Sequence, residues 1–329
     1  MTDTAQRIAD WVRANTDRVG LPPGEPKVSL IGTGESYAAW LVRVADADPL
    51  VVRIPRRPVE QLPRPMAAEM AGLVLVPPGL GPRAVLFEES ADSLGVPFLV
   101  TGYVPGREVS VQDWDDALLL AHARQLAALH ATPFTAAGEV TAAERDRTPR
   151  LSLTARLADS LDWWRGAHPD VLGDPEVARL VPAVQRHITE AEPAFARLRR
   201  FALIHGDLVA SNILVDAGTP RYVDWEWVEI GDPAQDLAYI GGLVAAPPWY
   251  IQLTSEQIDR FLNAYVVHAG EAAEPVTDLR VRRDAFEIFE RFFSSLHFRT
   301  QRGNEEDRRS GRYTEAVRLL TAGLQQALG

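Results

Sequence analysis

Apolar positions in the first hundred residues form short runs or alternate with polar ones, and this pattern predicts β-strands. One segment differs, because residues 66–76 are rich in helix formers and end at a Pro-Pro-Gly run. Apolar residues at helical spacing over residues 3–19 predict a further, leading helix. The predicted strands are residues 28–31, 37–44, 50–54, 84–87 and 97–104.

From about residue 105 onward, the apolar positions take the period of amphipathic helices. This change predicts a domain boundary, with a strand-rich N-terminal lobe over residues 1–103 and a helical C-terminal lobe over residues 104–329. The predicted helices of the second lobe are residues 113–130, 152–166, 176–199, 255–268, 280–301 and 311–328.

Composition and charge narrow the range of partners. Hydrophobic residues make up 46% of the chain and charged residues 24%, which is ordinary for a globular protein. A formal net charge of −11 argues against nucleic acid or an anionic membrane as a partner. The sequence has no cysteine, which excludes disulfides, thiolate catalysis and cysteine-ligated metals. Neither a secretory signal nor a long apolar span is evident, so we expect a cytoplasmic protein.

Polar side chains cluster where short β-branched runs end. Asp207 and Asn212 lie five residues apart across a tight loop that begins at His205, and Asp224 ends the next apolar run. A hairpin of the two runs would bring these groups together. Carboxylate and amide oxygens suit magnesium, and a free carboxylate can accept the proton of a hydroxyl nucleophile. The cluster therefore indicates phosphoryl transfer with magnesium.

The H-G-D-x-x-x-x-N run from His205 and the later apolar-apolar-D-W run resemble the catalytic loop and metal aspartate of the aminoglycoside phosphotransferase family. Members of that family act on antibiotics and other small alcohols, and they are related to the protein kinases. The resemblance implies an α+β, bilobal protein-kinase-like fold with a small antiparallel-sheet N-lobe and a larger helical C-lobe. It also implies that Asp207 is the catalytic base, that Asn212 and Asp224 hold Mg2+, and that His205 braces the loop.

The N-terminal lobe carries the residues that the resemblance assigns to the nucleotide. Gly32, Gly34 and Ser36 lie in a turn between two strands and would cover the phosphates. Arg53 stands on the next strand, where lysine is commonest in the family, and its segment resembles that of macrolide and hygromycin phosphotransferases. A guanidinium also binds phosphate, and the resemblance implies that Glu69 pairs with Arg53.

The segment over residues 98–106, which includes most of the last predicted strand of this lobe, resembles the family's hinge between lobes. There the backbone of Gly102 and Val104 would hydrogen-bond the nucleotide base, and the small Thr101 leaves both ATP and GTP open as donor.

The sequence identifies residues that could contact the acceptor less clearly than those that could bind the nucleotide. Trp225, Glu226 and Trp227 follow the metal aspartate directly, close to where an acceptor would approach. Glu287 and Glu290 share a predicted helix, where carboxylates could meet a polyamine or simply face solvent.

Two further aspartates, Asp232 and Asp236, match the family's G-D-x-x-x-D segment, where they are more often structural than catalytic. Asp232 is also a candidate for contact with the substrate.

The hypothesis from the sequence is an ATP- or GTP-dependent O-phosphotransferase that acts on a small molecule, an antibiotic such as an aminoglycoside or macrolide. Two alternatives stay open at this point. One is a metabolic kinase for choline, homoserine or a thiosugar, and the other is a nucleotide-binding pseudokinase. We expect a monomer or weak dimer, with a nucleotide and a small-molecule acceptor as partners. The sequence leaves the acceptor, the phosphorylated hydroxyl and the preferred donor open.

Overall fold

The computed structural model describes residues 2–270 and 274–329. Its N-terminal lobe holds a five-stranded antiparallel sheet flanked by helices. The elements of this lobe are α1 (Thr2–Ala14), α2 (Thr16–Val19), β1 (Lys27–Thr33), β2 (Tyr37–Arg43), β3 (Leu50–Pro55), α3 (Met66–Leu75), β4 (Ala84–Glu88) and β5 (Phe98–Gly102). The strand order in the sheet is β1-β2-β3-β5-β4. All five predicted strands and the predicted helix over residues 66–76 are confirmed, and their ends differ from the predicted ones by at most two residues.

The leading helix packs on this sheet but is not continuous. Ile8 and Trp11 are buried, and the Trp11 ring meets Phe98 edge-on at 4.8 Å between centroids. The predicted single helix over 3–19 is wrong, because the chain breaks at Asn15, whose side-chain amide donates to the Trp11 carbonyl (2.8 Å). Ser, Asp and Asn side chains compete with helical backbone bonding in this way.

The C-terminal lobe is mainly helical, with short strand pairs that carry loops. Its elements are β6 (Arg107–Glu108), α4 (Asp116–Leu129), α5 (Leu153–Ala167), α6 (Pro169–Leu172), α7 (Pro175–Arg197), β7 (Ala202–Ile204), β8 (Ile213–Asp216), β9 (Thr219–Tyr222), β10 (Glu229–Gly231), α8 (Pro233–Tyr239), β11 (Gly241–Gly242), β12 (Ile251–Gln252), α9 (Ser255–Ala269), α10 (Val276–Gln301), α11 (Glu305–Ser310) and α12 (Arg312–Leu328).

Capping explains where several helices begin. α4 begins after Asp115, whose carboxylate accepts the Leu118 N–H (2.8 Å), so the predicted start at residue 113 is three residues early. At α9 the Thr254 hydroxyl and the Gln257 side chain form a reciprocal capping box. α10 begins four residues before its predicted start at residue 280.

Two antiparallel pairings position the predicted catalytic loop. β8 and β9 form the predicted hairpin, and β7 pairs with β10. The loop from His205 to Asn212 therefore connects two anchored strands. The predicted boundary between residues 103 and 104 falls directly after β5 and stays a prediction.

Helix α3 joins the lobes. Its Leu73 belongs to the same buried cluster as the helices of the C-terminal lobe, and a Cβ on Gly72 would lie 2.6 Å from Val228. Close approach at Gly72 thus brings α3 against the segment that follows Asp224. Along the described parts of the chain, no helix combines the length and apolarity needed to cross a membrane.

Candidate active site

A cleft of about 1700 Å³ lies between the lobes and contains the predicted catalytic loop. It exceeds the range of about 300–1,000 Å³ that is typical of single small-ligand sites, so it offers room for two substrates. The site residues that line it are Gly32, Gly34, Ser36, Arg53, Thr101, Gly102, Val104, Asp207, Asn212, Asp224, Glu226, Trp227 and Glu290.

Asn212 fixes the position of Asp207. Its amide nitrogen donates to the Asp207 main-chain carbonyl (2.8 Å) and to the Asp207 carboxylate at Oδ2 (3.0 Å). A 3-10 turn over Ala210–Asn212 folds the chain back far enough for both bonds. The carboxylate of Asp207 therefore has a defined orientation at the cleft wall.

His205 braces the loop, as the resemblance implies. Its Nδ1 accepts the Asp207 N–H (3.3 Å), and its Nε2 lies 2.9 Å from the Val223 carbonyl. This pattern requires an Nε2–H tautomer. Burial lowers the pKa of His205, which keeps the ring neutral.

Asp236 forms hydrogen bonds with the backbone of the same loop. Its carboxylate accepts the backbone N–H groups of His205 (2.8 Å) and Gly206 (2.9 Å) and lies 3.2 Å from His130 Nε2. These bonds outweigh the desolvation of the buried carboxyl and lower the pKa of Asp236. Asp236 is therefore a structural residue, as its segment suggested.

Gly206 can only be glycine. Its φ is +80°, and a Cβ at this position would lie 2.6 Å from the Trp227 carbonyl oxygen. The close approach brings the turn that follows Asp224 directly against the predicted catalytic loop.

Arg53 links the two lobes. Its guanidinium bonds to the Glu69 carboxylate and, through its other terminal nitrogen, to Asp224, and it lies 4.3 Å from the Tyr37 ring centroid. The predicted ion pair between Arg53 and Glu69 is present in the structure. Asp224 has a φ of +67°, a left-handed conformation that is uncommon for aspartate and typical of functional sites.

Negative charge accumulates around Asp207. Burial, followed by the charges of Asp224, Glu226 and Glu290, raises the pKa of Asp207 well above its ordinary value. Burial and the Asp224 charge likewise raise the pKa of Glu226 to about 7. A more basic Asp207 is a better proton acceptor, and the crowd of carboxylates favours a cation in this part of the cleft.

The residues present fit a magnesium ion. Asn212 uses its amide nitrogen toward Asp207, which leaves its oxygen for a cation, and Asp224 uses one carboxylate oxygen toward Arg53. Within the described residues, no group of three or more histidine or acidic side chains forms a protein-only metal cage. Two oxygen ligands that share a cation with substrate phosphates match the usual habit of Mg2+.

The turn between β1 and β2 closes the upper side of the cleft. Gly34 N–H donates to the Tyr37 carbonyl (2.9 Å), and the Arg56 side chain bonds to the Gly34 carbonyl. Ser36 is buried, and its side chain lies near the Glu226 carboxylate, where it partly offsets the raised pKa of Glu226. Ser36 and Glu226 both line the cleft, from opposite lobes.

At the hinge, Thr101 is buried, and Gly102 and Val104 line the cleft. The Gly102 N–H already donates to the Arg83 carbonyl (2.8 Å). Any contact of Gly102 with a nucleotide base would therefore use its carbonyl.

Three of the predicted substrate-side residues do not face the cleft. Trp225 is fully buried under the catalytic loop, with its ring 4.5 Å from that of His205. Asp232 caps α8 and pairs with the buried Arg282 (2.8 Å). Glu287 is buried on α10, where it bonds to Arg283 and to the Val244 N–H. These three predictions are wrong, because the side chains satisfy buried polar groups or fill the core.

The other three substrate-side candidates do line the cleft. Trp227 is 42% exposed, and Glu226 lies between Ser36 and Asp224. Glu290 is buried on α10, where Gln235 Nε2 donates to it (3.3 Å).

No pattern in the sequence indicated that Tyr37 lies against Arg53 or that Glu35 contacts His297. His297 Nε2 lies 3.1 Å from Glu35 Oε1, although 262 residues separate them. No periodicity or motif in one sequence marks a pair so distant along the chain.

Comparison with known proteins gives a consistent result. The model of the APH phosphotransferase enzyme family matches residues 27–277. A viomycin phosphotransferase from Streptomyces vinaceus is 53% identical over 87 residues, which make up 22% of this chain. The match spans 30% of the length of that curated relative.

Solved structures share the fold across nearly the whole chain. The GDP complex of aminoglycoside 2′-phosphotransferase-IIIa has 17% identity and a TM-score of 0.63, with 98% of this chain and 99% of that chain covered. A putative aminoglycoside phosphotransferase from Ralstonia eutropha has 15% identity and a TM-score of 0.65, with 98% and 96% covered. A choline kinase from Cryptosporidium parvum has 13% identity and a TM-score of 0.59, also with 98% and 96% covered.

The family model covers most of the chain, and the site built by Asp207, Asn212 and Asp224 lies inside the matched region. The two-lobed fold of the solved relatives is the fold of this chain. The chain therefore belongs to the APH phosphotransferase enzyme family.

Proposed function

We propose that this protein transfers the terminal phosphoryl group of ATP or GTP to a hydroxyl of a small molecule, and that the acceptor is an antibiotic. The observation that carries the proposal is the Asp207 carboxylate, which Asn212 orients at the cleft wall next to Asp224. Arg53 and Glu69 complete the site from the other lobe.

In the proposed reaction, the hydroxyl oxygen of the acceptor attacks the terminal phosphorus, and Asp207 accepts the proton of that hydroxyl. A new oxygen–phosphorus bond forms, the bond to the bridging oxygen breaks, and the nucleoside diphosphate leaves. Arg53 and the Ser36 hydroxyl would hold phosphate oxygens in line for this transfer. Most of the rate comes from positioning and charge stabilisation.

Asn212 and Asp224 would hold Mg2+ through their free oxygen atoms. When bound, the ion neutralises phosphate charge that would otherwise face a carboxylate-rich cleft. The raised pKa of Asp207 and Glu226 reflects how strongly that part of the cleft disfavours further negative charge.

The antibiotic assignment is supported by the 53% identity of one stretch to a viomycin phosphotransferase. The structural likeness to a choline kinase keeps a metabolic acceptor as the second candidate, because both activities would use the same loop. An intact set of Asp207, Asn212 and Asp224, with Arg53 paired to Glu69, speaks against a pseudokinase.

The purified chain should be incubated with magnesium, ATP or GTP, and separate acceptors: viomycin, a panel of aminoglycosides and macrolides, and choline. The expected result is an antibiotic product heavier by one phosphoryl group, detected by mass spectrometry. Phosphorylation of choline alone would replace the antibiotic proposal by the metabolic one. Absence of product with every acceptor, together with absence of nucleotide binding, would contradict the proposed kinase activity.

A further inference from the structure

A contact across the mouth of the cleft connects the phosphate-covering turn to the C-terminal lobe. Glu35 lies at the tip of this turn, between Gly34 and Ser36, and its carboxylate meets His297 of α10 at 3.1 Å. Both residues line the same cleft. The contact therefore bridges the two walls between which the phosphates would lie.

The two partners differ in how firmly they are held. α10 packs against α7, α8 and α12 and buries fourteen of its side chains. His297 therefore lies on a helix that is held firmly in the C-terminal lobe. The turn is exposed at Gly34 and Glu35 and is held mainly by the Gly34–Tyr37 and Arg56–Ser36 backbone bonds. In such a pair, the fixed helix determines where the exposed turn lies.

Ser36, the next residue of the turn, is buried and lies near Glu226 of the C-terminal lobe, whose pKa it lowers in part. The hydrogen bond of Glu35 to His297 is therefore made beside a point where the turn already lies close to the C-terminal lobe. We expect this bond to fix the orientation of the turn at that point.

Positive charge supports the Glu35 carboxylate. Arg57 approaches it at 3.6 Å, and the charge of Arg312 also reaches it. The His297 bond is the first cause of the lowered pKa of Glu35, ahead of both arginine charges. His297 is therefore the main partner of Glu35.

We propose that Glu35 and His297 are positioning residues, which fasten the phosphate-covering turn to α10 and so set its grip on the bound nucleotide. The inference rests on the proposed nucleotide-dependent function and deepens it. Neither residue touches the reacting atoms. Their effect runs through the turn, whose backbone and Ser36 would contact the phosphates.

The expected size of the effect is moderate. The side chains of Glu35 and His297 are 48% and 40% exposed, and such pairs contribute little in water. We expect Glu35→Ala and His297→Ala each to raise the dissociation rate of ATP about threefold to fivefold. The double variant should be no worse than the weaker-binding single variant, because both changes remove the same link.

The experiment measures the affinity and dissociation rate of a fluorescent ATP analogue with magnesium by stopped flow. His297→Gln, whose amide can still donate to Glu35, should recover most of the lost affinity. Glu60→Ala and His268→Ala are matched controls, since both residues are exposed and lie outside the cleft. The melting temperature without nucleotide should be unchanged in all these variants.

The outcomes separate this inference from the proposed function. A wild-type chain that binds neither the ATP analogue nor a GTP analogue contradicts the proposed function, and if only the GTP analogue binds, the same variants are measured with it. A wild-type chain that binds ATP, with unchanged dissociation in both alanine variants or with effects that add in the double variant, overturns the positioning role alone. Loss of affinity in both single variants without further loss in the double variant, together with recovery in His297→Gln, supports it.

Discussion

Arg53 is the residue that we propose for phosphate binding on β3, and it already has several partners. Its planar guanidinium bonds to Glu69 and Asp224 at once, while Tyr37 lies against its face. An ammonium is a point charge and cannot hold both carboxylates in this fixed fork geometry. The absence of a lysine from the strand is therefore compatible with a working phosphate site.

Replacing Arg53 should separate charge from geometry. Arg53→Lys keeps the charge but loses the fork, so kcat/KM for ATP should fall about tenfold. Arg53→Ala also leaves Glu69 buried without its partner, and kcat/KM should fall about 100-fold. Steady-state kinetics at varied ATP would measure both. Arg43→Ala, an exposed arginine on the neighbouring strand, is the control; an Arg53→Ala enzyme as active as this control would exclude Arg53 from the phosphate site.

Residues that act within one short segment could be predicted from sequence, and those that meet from afar could not. Asp207 and Asn212 lie in one loop, so their spacing already indicates their contact. Arg53 and Asp224 are 171 residues apart, and only the family resemblance suggested that they share a site. The sequence also did not indicate that Trp225 is buried whereas Trp227 is exposed. A turn follows Asp224, so the alternation of a β-strand could not be used to assign Trp225 to the core.

At the scale of elements, α10 differs most from what its sequence suggests. Charged residues on a predicted amphipathic helix are expected to face solvent, yet Arg282, Arg283 and Arg291 are all about 1% exposed or less. Each is buried because it has defined partners: Arg282 pairs with Asp232, and Arg291 donates to backbone carbonyls such as Val244 (3.1 Å). The position of α10 was predictable from its apolar spacing to within four residues, but this polar interior was not.

The buried pair of Asp232 and Arg282 should dominate the stability of the α8–α10 contact. Asp232→Ala would leave a buried guanidinium short of its partner and cost about 3–5 kcal/mol of unfolding free energy. Urea unfolding measures the loss. Asp259→Ala, whose carboxylate is 60% exposed, should cost less than about 1 kcal/mol. Equal losses in the two variants would contradict the structural role of Asp232.

Asp307 should make the start of α12 sensitive to acid. Its carboxylate accepts the N–H groups of Gly303, Tyr313 and Thr314, and these bonds lower the pKa of Asp307 to about 2. A carboxyl with a depressed folded-state pKa stabilises the fold above its unfolded pKa of about 4, and this contribution is lost as pH falls toward 2.

The urea midpoint of Asp307→Asn should therefore lie below that of the wild type from pH 5 to 8, and the gap should narrow below about pH 4. Midpoints measured across that range by circular dichroism give the test. A gap that stays constant down to the lowest pH at which the protein is folded would show that the charge of Asp307 is not the cause.

At the scale of the whole molecule, the lobes meet through a few polar links around the cleft and one close helix contact. The links include Arg53 to Asp224, Arg64 to Glu229 and Glu35 to His297, and the helix contact is α3 at Gly72. Such an arrangement holds the proposed catalytic residues of the C-terminal lobe against the proposed phosphate-binding residues of the N-terminal lobe. Negative charge is concentrated in the same part of the cleft, so the proposed function requires a cation to bind there with the nucleotide.

Nucleotide and magnesium should therefore stabilise the protein together. ATP at about 100 times its dissociation constant should add about 2.7 kcal/mol of unfolding free energy in the presence of magnesium. Addition of EDTA should remove most of that gain, and Asp224→Asn should show little difference with or without the metal. Thermal unfolding with each ligand measures these effects. Equal stabilisation by ATP with magnesium and with EDTA would contradict a metal-assisted site.

The most direct test of the account is phosphoryl transfer by Asp207→Asn. The amide keeps the shape of the side chain but cannot accept the proton of the acceptor hydroxyl. The account predicts that transfer to the acceptor identified by mass spectrometry falls about a thousandfold, while the dissociation constant for ATP with magnesium changes less than about threefold. Turnover of Asp207→Asn within a factor of ten of the wild type would contradict the role of Asp207 as catalytic base.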